Sequence, residues 1–249
     1  IYGFGVGCGP TDNDGETLLR TWLWSEGGYL FNEQGEPDPV NPETIRVIQT
    51  YVDLYKEGCI APSATTWDAG GNNKTYLVGE SALVYNPFTL YNAMLEPGYE
   101  ELLANSGYDV LPEGKNGTVM FLSLPGYAIN ESCQNPEVAK ELLTYLSDAE
   151  WYSKWIGDCA PIMGPVFEDT AAMDIWQSSE TNAAMAAIGK NKMAFHGYPS
   201  TDIQAQRAGS LVYNSYLLNT AITRIITENL TVEEGLELLK KDMENLINP

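Results

Sequence analysis

Trp67 stands in a polar loop, Ser63 to Asn73, made largely of glycine, asparagine, aspartate and threonine, where packing gives little reason for an indole. Such a ring can stack on the apolar C–H face of a sugar, or it can plug a local hydrophobic gap. Asp68, Asn72 and Asn73 in the same loop carry planar groups that hydrogen-bond hydroxyls, and the same groups also serve turns and N-caps. Asp12 and Asp14 are the nearest approach to the paired carboxylates a glycosidase requires. Other chemistries lack their residues. His196 is the single histidine, read as a structural loop residue, so His-pair zinc sites are impossible. Neither GxSxG nor GxxxxGK[ST] occurs, and the run Gly3 to Gly9 gives GxGxxG in no register, so it reads as a turning backbone. The cysteines Cys8, Cys59, Cys133 and Cys159 contain no CxxC; their even count permits disulfides. No metal and no cofactor is expected.

The chain that must position these groups has 249 residues, 44% hydrophobic and 19% charged, which excludes a disordered polymer and is ample for a sizeable core. Thirteen Lys+Arg against 34 Asp+Glu give 13 − 34 = −21. That field repels phosphate backbones and anionic lipid, so no nucleic-acid or membrane-surface role is expected. No apolar run approaches the roughly 18 residues that span a bilayer.

The first ten residues read as a strand and a glycine-rich turn. Thr11 to Asp14 then offer N-cap chemistry to a helix carrying Leu18, Leu19, Trp22 and Leu23. Tyr29 to Phe31 reads as a short strand, and Ile45, Ile48, Val52 and Tyr55 share a face of a helix closed by Gly58. A short helix over Lys74 to Val78 precedes Ser81 to Tyr85, an apolar run read as a buried strand, and a further strand or two lies between Asp109 and Ile129. Asn135 opens a helix with Val138, Leu142, Leu143 and Leu146 inward. The remainder reads as helices over Met173 to Ile188, Gln204 to Thr227 and Val232 to Ile247. Trp22, Trp24, Trp151, Trp155 and Trp176 are assigned to the core. Alternating strands and helices indicate an α/β fold.

Five stretches together carry a resemblance. They are Trp22 to Phe31 (a W..GG.lF turn), Tyr51 to Gly58 (y.dLykeG), Gly79 to Val84 (G.aAm), Asn135 to Leu143 (npe.AkeFl) and Leu230 to Leu236. In that order, across nearly the whole chain, they resemble the extracytoplasmic solute-binding proteins of ABC sugar importers, the maltose-binding-protein-like group. The resemblance implies a type II periplasmic-binding-protein-like α/β fold, mainly the C-terminal lobe plus the return segment of the N-terminal lobe. Residues 1–117 and 161–249 would form the C-terminal lobe and 118–160 the return segment. It also implies that a first lobe of roughly 100 residues is supplied upstream of Ile1 or by a separate chain. Cys133 and Cys159 become the expected disulfide pair in the oxidising compartment that the family occupies.

The family places ligand-contacting polar groups on the turn holding Asp12, Asn13 and Asp14. Asn86 and Phe88 fall where it presents an aromatic platform, and Ser123, Leu124 and Pro125 replace its usual glycine- and tryptophan-rich turn. Tyr213 and Tyr216 fall near another platform aromatic, with helix-face packing the competing reading. The function implied is capture of a sugar or small oligosaccharide outside the cytoplasm, in a periplasm or on a lipid anchor, and delivery to membrane permease subunits. The charge leaves a polyamine or other cationic solute as an alternative ligand, and the acidic pair leaves a glycosidase as a third reading.

Overall fold

The computed structural model describes residues 1–122, 126–165 and 167–248, so the expected contacts of Ser123, Leu124 and Pro125 lie outside the described residues. The first elements are β1 (Tyr2–Gly5), α1 (Asn13–Ser25), α2 (Pro42–Lys56), a 3-10 turn (Pro62–Thr66), α3 (Gly71–Leu77) and β2 (Ser81–Val84). Then come α4 (Thr89–Met94), α5 (Glu100–Ala104), β3 (Val119–Phe121), α6 (Pro136–Leu146) and α7 (Ala149–Cys159). After α8 (Glu168–Ala171) and a 3-10 turn (Asp174–Gln177), the chain continues through α9 (Glu180–Ile188), β4 (Lys192–Ala194), α10 (Ile203–Asn214), α11 (Leu217–Thr227) and α12 (Val232–Ile247). The class is α/β and helix-rich. Its described strands form two parallel pairs, β1 with β2 (Phe4 opposite Leu83) and β3 with β4 (Met120 opposite Met193).

The chain divides into two compact units. One holds Ile1–Asn105, Leu111–Phe121 and Asn191–Pro249; the other holds Ser106–Val110 and Leu122–Lys190. The second unit thus runs on past residue 160, where the sequence reading ends its return segment.

In the first unit the core is a helix layer. Leu18, Leu19 and Leu23 of α1 and Val47, Ile48, Tyr51 and Val52 of α2 are fully buried with Leu218, Ile222 and Ile225 of α11 and Leu236, Leu239 and Met243 of α12. Local capping chemistry starts α1, α2 and α12. Asp12 Oδ1 accepts the amides of Asp14 and Gly15 at 3.0 Å each, Asn41 Oδ1 accepts that of Thr44 at 3.0 Å, and Thr231 with Glu234 closes a capping box.

Four expectations differ from the structure. Gln204 to Thr227 is not one helix: Tyr216 takes φ 51, which separates α10 from α11. Met173 to Ile188 is likewise broken, because a 3-10 turn and the Ser179 cap intervene before α9. β2 forms, but among the described residues it pairs only with β1, which leaves Leu83 61% exposed, so it is no buried strand. Tyr29 to Phe31 makes only a single bridge, Phe31 to Pro37.

In the second unit the expected inward face of α6 is not covered, and Val138 and Leu142 are exposed. Trp151 and Trp155 stack with centroids 5.8 Å apart along α7 and are half-buried, whereas Trp176 is fully buried, its Nε1–H donated to Thr170 O at 2.6 Å. Of the other expected core indoles, both in α1, Trp24 is fully buried and Trp22 half-buried. The expected Cys133–Cys159 disulfide is corrected: all four cysteines are free thiols. Cys133 sits in the turn before α6, its amide bonded to Asn130 O, and Cys159 ends α7.

Candidate functional site

The described candidate residues lie within the first unit, and Asp12, Asn13, Asp14, Asn72, Asn73, Asn86 and Tyr216 gather around the N-terminus of α1. β1 delivers the chain into its glycine run, and the run is glycine for closeness rather than flexibility. A Cβ at Gly9 would lie 2.0 Å from the Trp67 carbonyl oxygen, and one at Gly7 would lie 2.0 Å from Asp12 Oδ2. The turn after β1 and the Trp67 loop therefore pack backbone to backbone at Gly9, with a bridge between Thr11 and Asp68.

Asp14 is the hub. Its Oδ2 accepts from Asn72 Nδ2 at 2.8 Å and from Asn86 Nδ2 at 3.2 Å. Asn72 Nδ2 also donates to Tyr85 O at 2.8 Å, its Oδ1 accepts the Asn73 amide at 2.8 Å, and Asn86 Nδ2 donates to Asn73 Oδ1. Three elements thus converge through amides and one carboxylate: the start of α1, the start of α3 and the segment after β2. From the other side Tyr216 donates its hydroxyl to Asn13 Oδ1 at 2.6 Å. Its left-handed φ is what turns the ring there, a conformation costing an ordinary residue roughly 1 kcal/mol.

The other predicted residues occupy distinct places. Trp67 is half-buried against the core edge, with Nε1–H donated to Ser63 Oγ at 3.0 Å. Asp68 is exposed, caps its own turn through Gly70 N at 3.0 Å and faces Lys74 at 3.8 Å. Phe88 is half-buried immediately before α4. Tyr213 belongs to an aromatic cluster, stacked on Phe121 at 5.1 Å and tilted to His196 at 4.8 Å, with its hydroxyl 3.0 Å from Thr17 Oγ1.

Sequence reasoning missed three supporting residues. Glu16 and Arg20 form a fully buried ion pair at 2.9 Å inside α1. Asn219 donates Nδ2 to Gly9 O at 3.0 Å and Asp12 O at 2.8 Å, while its amide bonds Glu16 Oε2 at 2.9 Å, tying α11 to the site turn. The i,i+4 acid–base spacing and the lone carboxamide within Leu217 to Ile222 were the available signals.

Burial raises the Asp14 carboxyl, with the Asn72 amide pulling the other way, and pushes Asp12 up to about 6, its Oδ2 buried with no hydrogen-bond partner among the described residues. Burial first, and then the Arg20 charge, lowers His196 to about 4. The two groups give opposite pH dependences. An unfolded chain protonates His196 near 6.5 while the folded one resists until about 4, so its contribution to stability falls as pH drops through that window. Folded Asp12 holds a proton up to about 6 where the unfolded group loses it near 3.8, so its contribution falls as pH rises through that window. His196→Gln should therefore gain on the wild type in melting temperature between about pH 7 and about pH 4.5, and Asp12→Asn should lose. Thermal melts at both pH values check this, and parallel shifts in all three chains would refute it.

Among the described residues no group of three or more His, Cys, Asp or Glu is placed to hold a metal ion, and no helix is long and apolar enough to cross a membrane.

Solved structures share this fold. An ABC transporter solute-binding protein from Thermotoga lettingae bound with α-D-tagatose superposes with a TM-score of 0.74 at 19% identity, over 100% of this chain and 60% of that one. A sugar transporter from Arthrobacter chlorophenolicus with bound laminaribiose gives 0.75 at 15% identity, over 97% and 59%. Maltose-bound T. maritima MalE3 gives 0.74 at 19% identity, over 99% and 61%. The chain thus spans about 60% of the length of these structures. No curated protein sequence matches it. The family model for bacterial extracellular solute-binding proteins matches residues 6–152, more than half of the sequence. The chain belongs to the bacterial extracellular solute-binding protein family.

Proposed function

We propose that this chain recognises a sugar or small oligosaccharide outside the cytoplasm, as the solute-binding component that presents its ligand to the permease subunits of an ABC importer. The observation that carries the reading is the Asp14–Asn72–Asn73–Asn86 cluster, in which planar amides and a carboxylate from three elements converge beside Asn13 and Tyr216. Planar acceptors and donors at fixed angles suit the hydroxyls of a pyranose, and the neighbouring Trp67 and Phe88 rings suit its C–H faces. The proposal takes Asn13, Asp14, Trp67, Asn72, Asn73, Asn86, Phe88 and Tyr216 as the contact set, with the buried Asp12 holding the turn behind it, Asp68 at its rim and Tyr213 beneath it.

The second compact unit, 122–190 with 106–110, is taken as the portion returning to the other lobe of a two-lobed receptor. The remainder of that lobe, in the same polypeptide or on another chain, would cover the exposed apolar face of α6. Ligand contacts from both lobes then favour a closed state, which is how binding becomes a signal to the permease. A binding rather than hydrolytic role is supported by how the carboxylates are used. Asp12 spends one oxygen on the α1 cap and buries the other, and Asp14 Oδ2 is shared by two amides, an arrangement suited to positioning hydrogen-bonding groups.

Thermal shift with sugars, polyols and putrescine tests the reading. A solute at 100 Kd should stabilise the chain by about 2.7 kcal/mol. Stabilisation by putrescine alone would replace the sugar with a cationic solute, and sustained release of reducing sugar from a glycan would replace binding with hydrolysis. With the sugar identified, Trp67→Ala should weaken binding by roughly 1–3 kcal/mol, the scale of a lost aromatic face. Trp155→Ala should leave affinity unchanged while lowering the melting temperature more. Equal effects of the two on affinity would remove Trp67 from the site.

A further inference from the structure

We propose a second, weaker saccharide site on the first unit, in a cavity of about 430 Å³ at the far end of α1 from the Asp14 cluster. Tyr29, Glu33, Gln34, Asn116 and Tyr198 line it, with the backbone of Gly28. Neither this volume nor these residues belong to the contact set above, and the proposal stands whether or not that set is right.

The walls are fixed before any ligand arrives. The Asn32–Glu36 turn is closed by Asn32 Oδ1 accepting the Glu36 amide at 3.0 Å, by the Asn32 amide on Glu36 O at 3.0 Å, and by Gly35 at φ 82. Asn116 is pinned twice, by its amide on Ser25 O at 2.8 Å and its Nδ2 on Trp24 O at 3.2 Å. The Tyr29 amide donates to Thr44 Oγ1 at 3.1 Å, and its carbonyl accepts from Asn41 Nδ2 and Thr44 Oγ1 at 3.0 Å each. A preformed concavity of this size lies within the range of small-molecule sites and holds a solute the size of a disaccharide.

The chemistry of the lining selects the class. The Glu33 carboxylate and the Gln34 carboxamide, both exposed, and Asn116 Oδ1 accept no hydrogen bond from any described residue, so the rim of the cavity offers solvated acceptors that a ligand's donors can reach. The faces of Tyr198 are engaged by Trp24 at 5.4 Å and by the Lys192 ammonium at 4.9 Å, so it contributes its edge. Tyr29, half-exposed, is the ring left to offer a face. One aromatic face beside several planar acceptors fits a polyhydroxylated ring, whose hydroxyls donate and whose C–H face stacks. With few enclosing walls and a shallow, solvated rim, affinity belongs in the millimolar range, about −4 kcal/mol.

The test is a titration of the full ¹⁵N-labelled chain with maltose and, separately, laminaribiose, up to about 100 mM. The amides of Gly27, Gly28 and Gln34 should shift on a curve of their own, distinct from those of Asn13, Asn73 and Asn86. Glu33→Ala/Gln34→Ala, two exposed side chains whose loss leaves the fold intact, should weaken the Gly27 and Gly28 response at least about tenfold and leave the Asn13 response unchanged. A cavity unmoved by both disaccharides overturns the site, as does one that responds identically in wild type and double variant. Silence at Asn13, Asn73 and Asn86 alone speaks against the main-site reading instead.

Discussion

Arg20→Leu should destabilise the fold by about 3–5 kcal/mol, the largest loss expected from any single surface-distant change outside the apolar core. The Arg20 and Glu16 side chains are both fully inaccessible, with Nη2 to Oε1 at 2.9 Å. Removing the guanidinium strands a carboxylate that burial already disfavours and that Arg20 holds down, and the Asn219 amide remains aimed at it. The pair is nonetheless imperfect, since Arg20 Nε and Nη1 are buried with no hydrogen-bond partner among the described residues. Two charges taken out of water with donors unsatisfied should yield to an apolar pair of similar volume. Glu16→Leu/Arg20→Leu should therefore recover most of the loss, as such replacements are often neutral or favourable. Glu16→Leu would also release the Asn219 amide, which limits the recovery by about 1 kcal/mol. Urea unfolding of the three chains decides the matter. An Arg20→Leu chain within about 1 kcal/mol of wild type would show that the pair is hydrated or dispensable.

The elements legible in the sequence are those whose local chemistry and tertiary use agree. Asp12, Asn41 and Thr231 cap α1, α2 and α12 where their side chains and following periodicity say they should, and the apolar stripes of those helices meet in one core. Where a tertiary demand overrides local preference, the sequence is silent. Nothing in Tyr213-Asn214-Ser215-Tyr216 announces a left-handed residue; the break exists because Tyr216 must reach Asn13. β2 looks buried because Ala82, Leu83 and Val84 are apolar, yet it pairs on one side only, and a four-residue run cannot report its number of neighbours. The site followed the same division. Polar residues in loops, Asp14, Asn72, Asn73 and Asn86, could be picked out singly, but their convergence on one carboxylate oxygen depends on strand pairing that juxtaposes the segments after β1 and β2. Asn219, Glu16 and Arg20 stayed hidden because they support the site from within helices, where a polar residue usually faces solvent.

Asp14→Ala should lower sugar affinity about 100-fold, near 2.7 kcal/mol, and Asp68→Ala by no more than about threefold. Both carboxylates stand beside the same loop, but they do different work. Asp68 is exposed and bonds only its own turn, with Lys74 at 3.8 Å in high dielectric. Asp14 is the acceptor that Asn72 and Asn86 share, at 2.8 and 3.2 Å, so its loss leaves Asn72 held by Tyr85 O and the Asn73 amide, and Asn86 by Asn73 and Thr89, each one bond short. Recognition of hydroxyls depends on amide orientation, and amides less firmly held must be ordered on binding, at about 0.5–1.5 kcal/mol per side chain. Losing the carboxylate as an acceptor for the ligand accounts for the rest. Asp14→Asn is the sharper variant. It preserves volume and keeps one oxygen able to accept from both Asn72 and Asn86, so it should hold the amides in register and lose only the second oxygen as an acceptor for the ligand, rescuing part of the affinity. Calorimetry with the sugar found by thermal shift, together with melting temperatures to show that each variant folds, gives the answer. If Asp14→Ala binds as tightly as Asp68→Ala while both remain folded, the amide cluster is structural, and the recognition surface must lie with the rings of Trp67, Phe88 and Tyr216 instead.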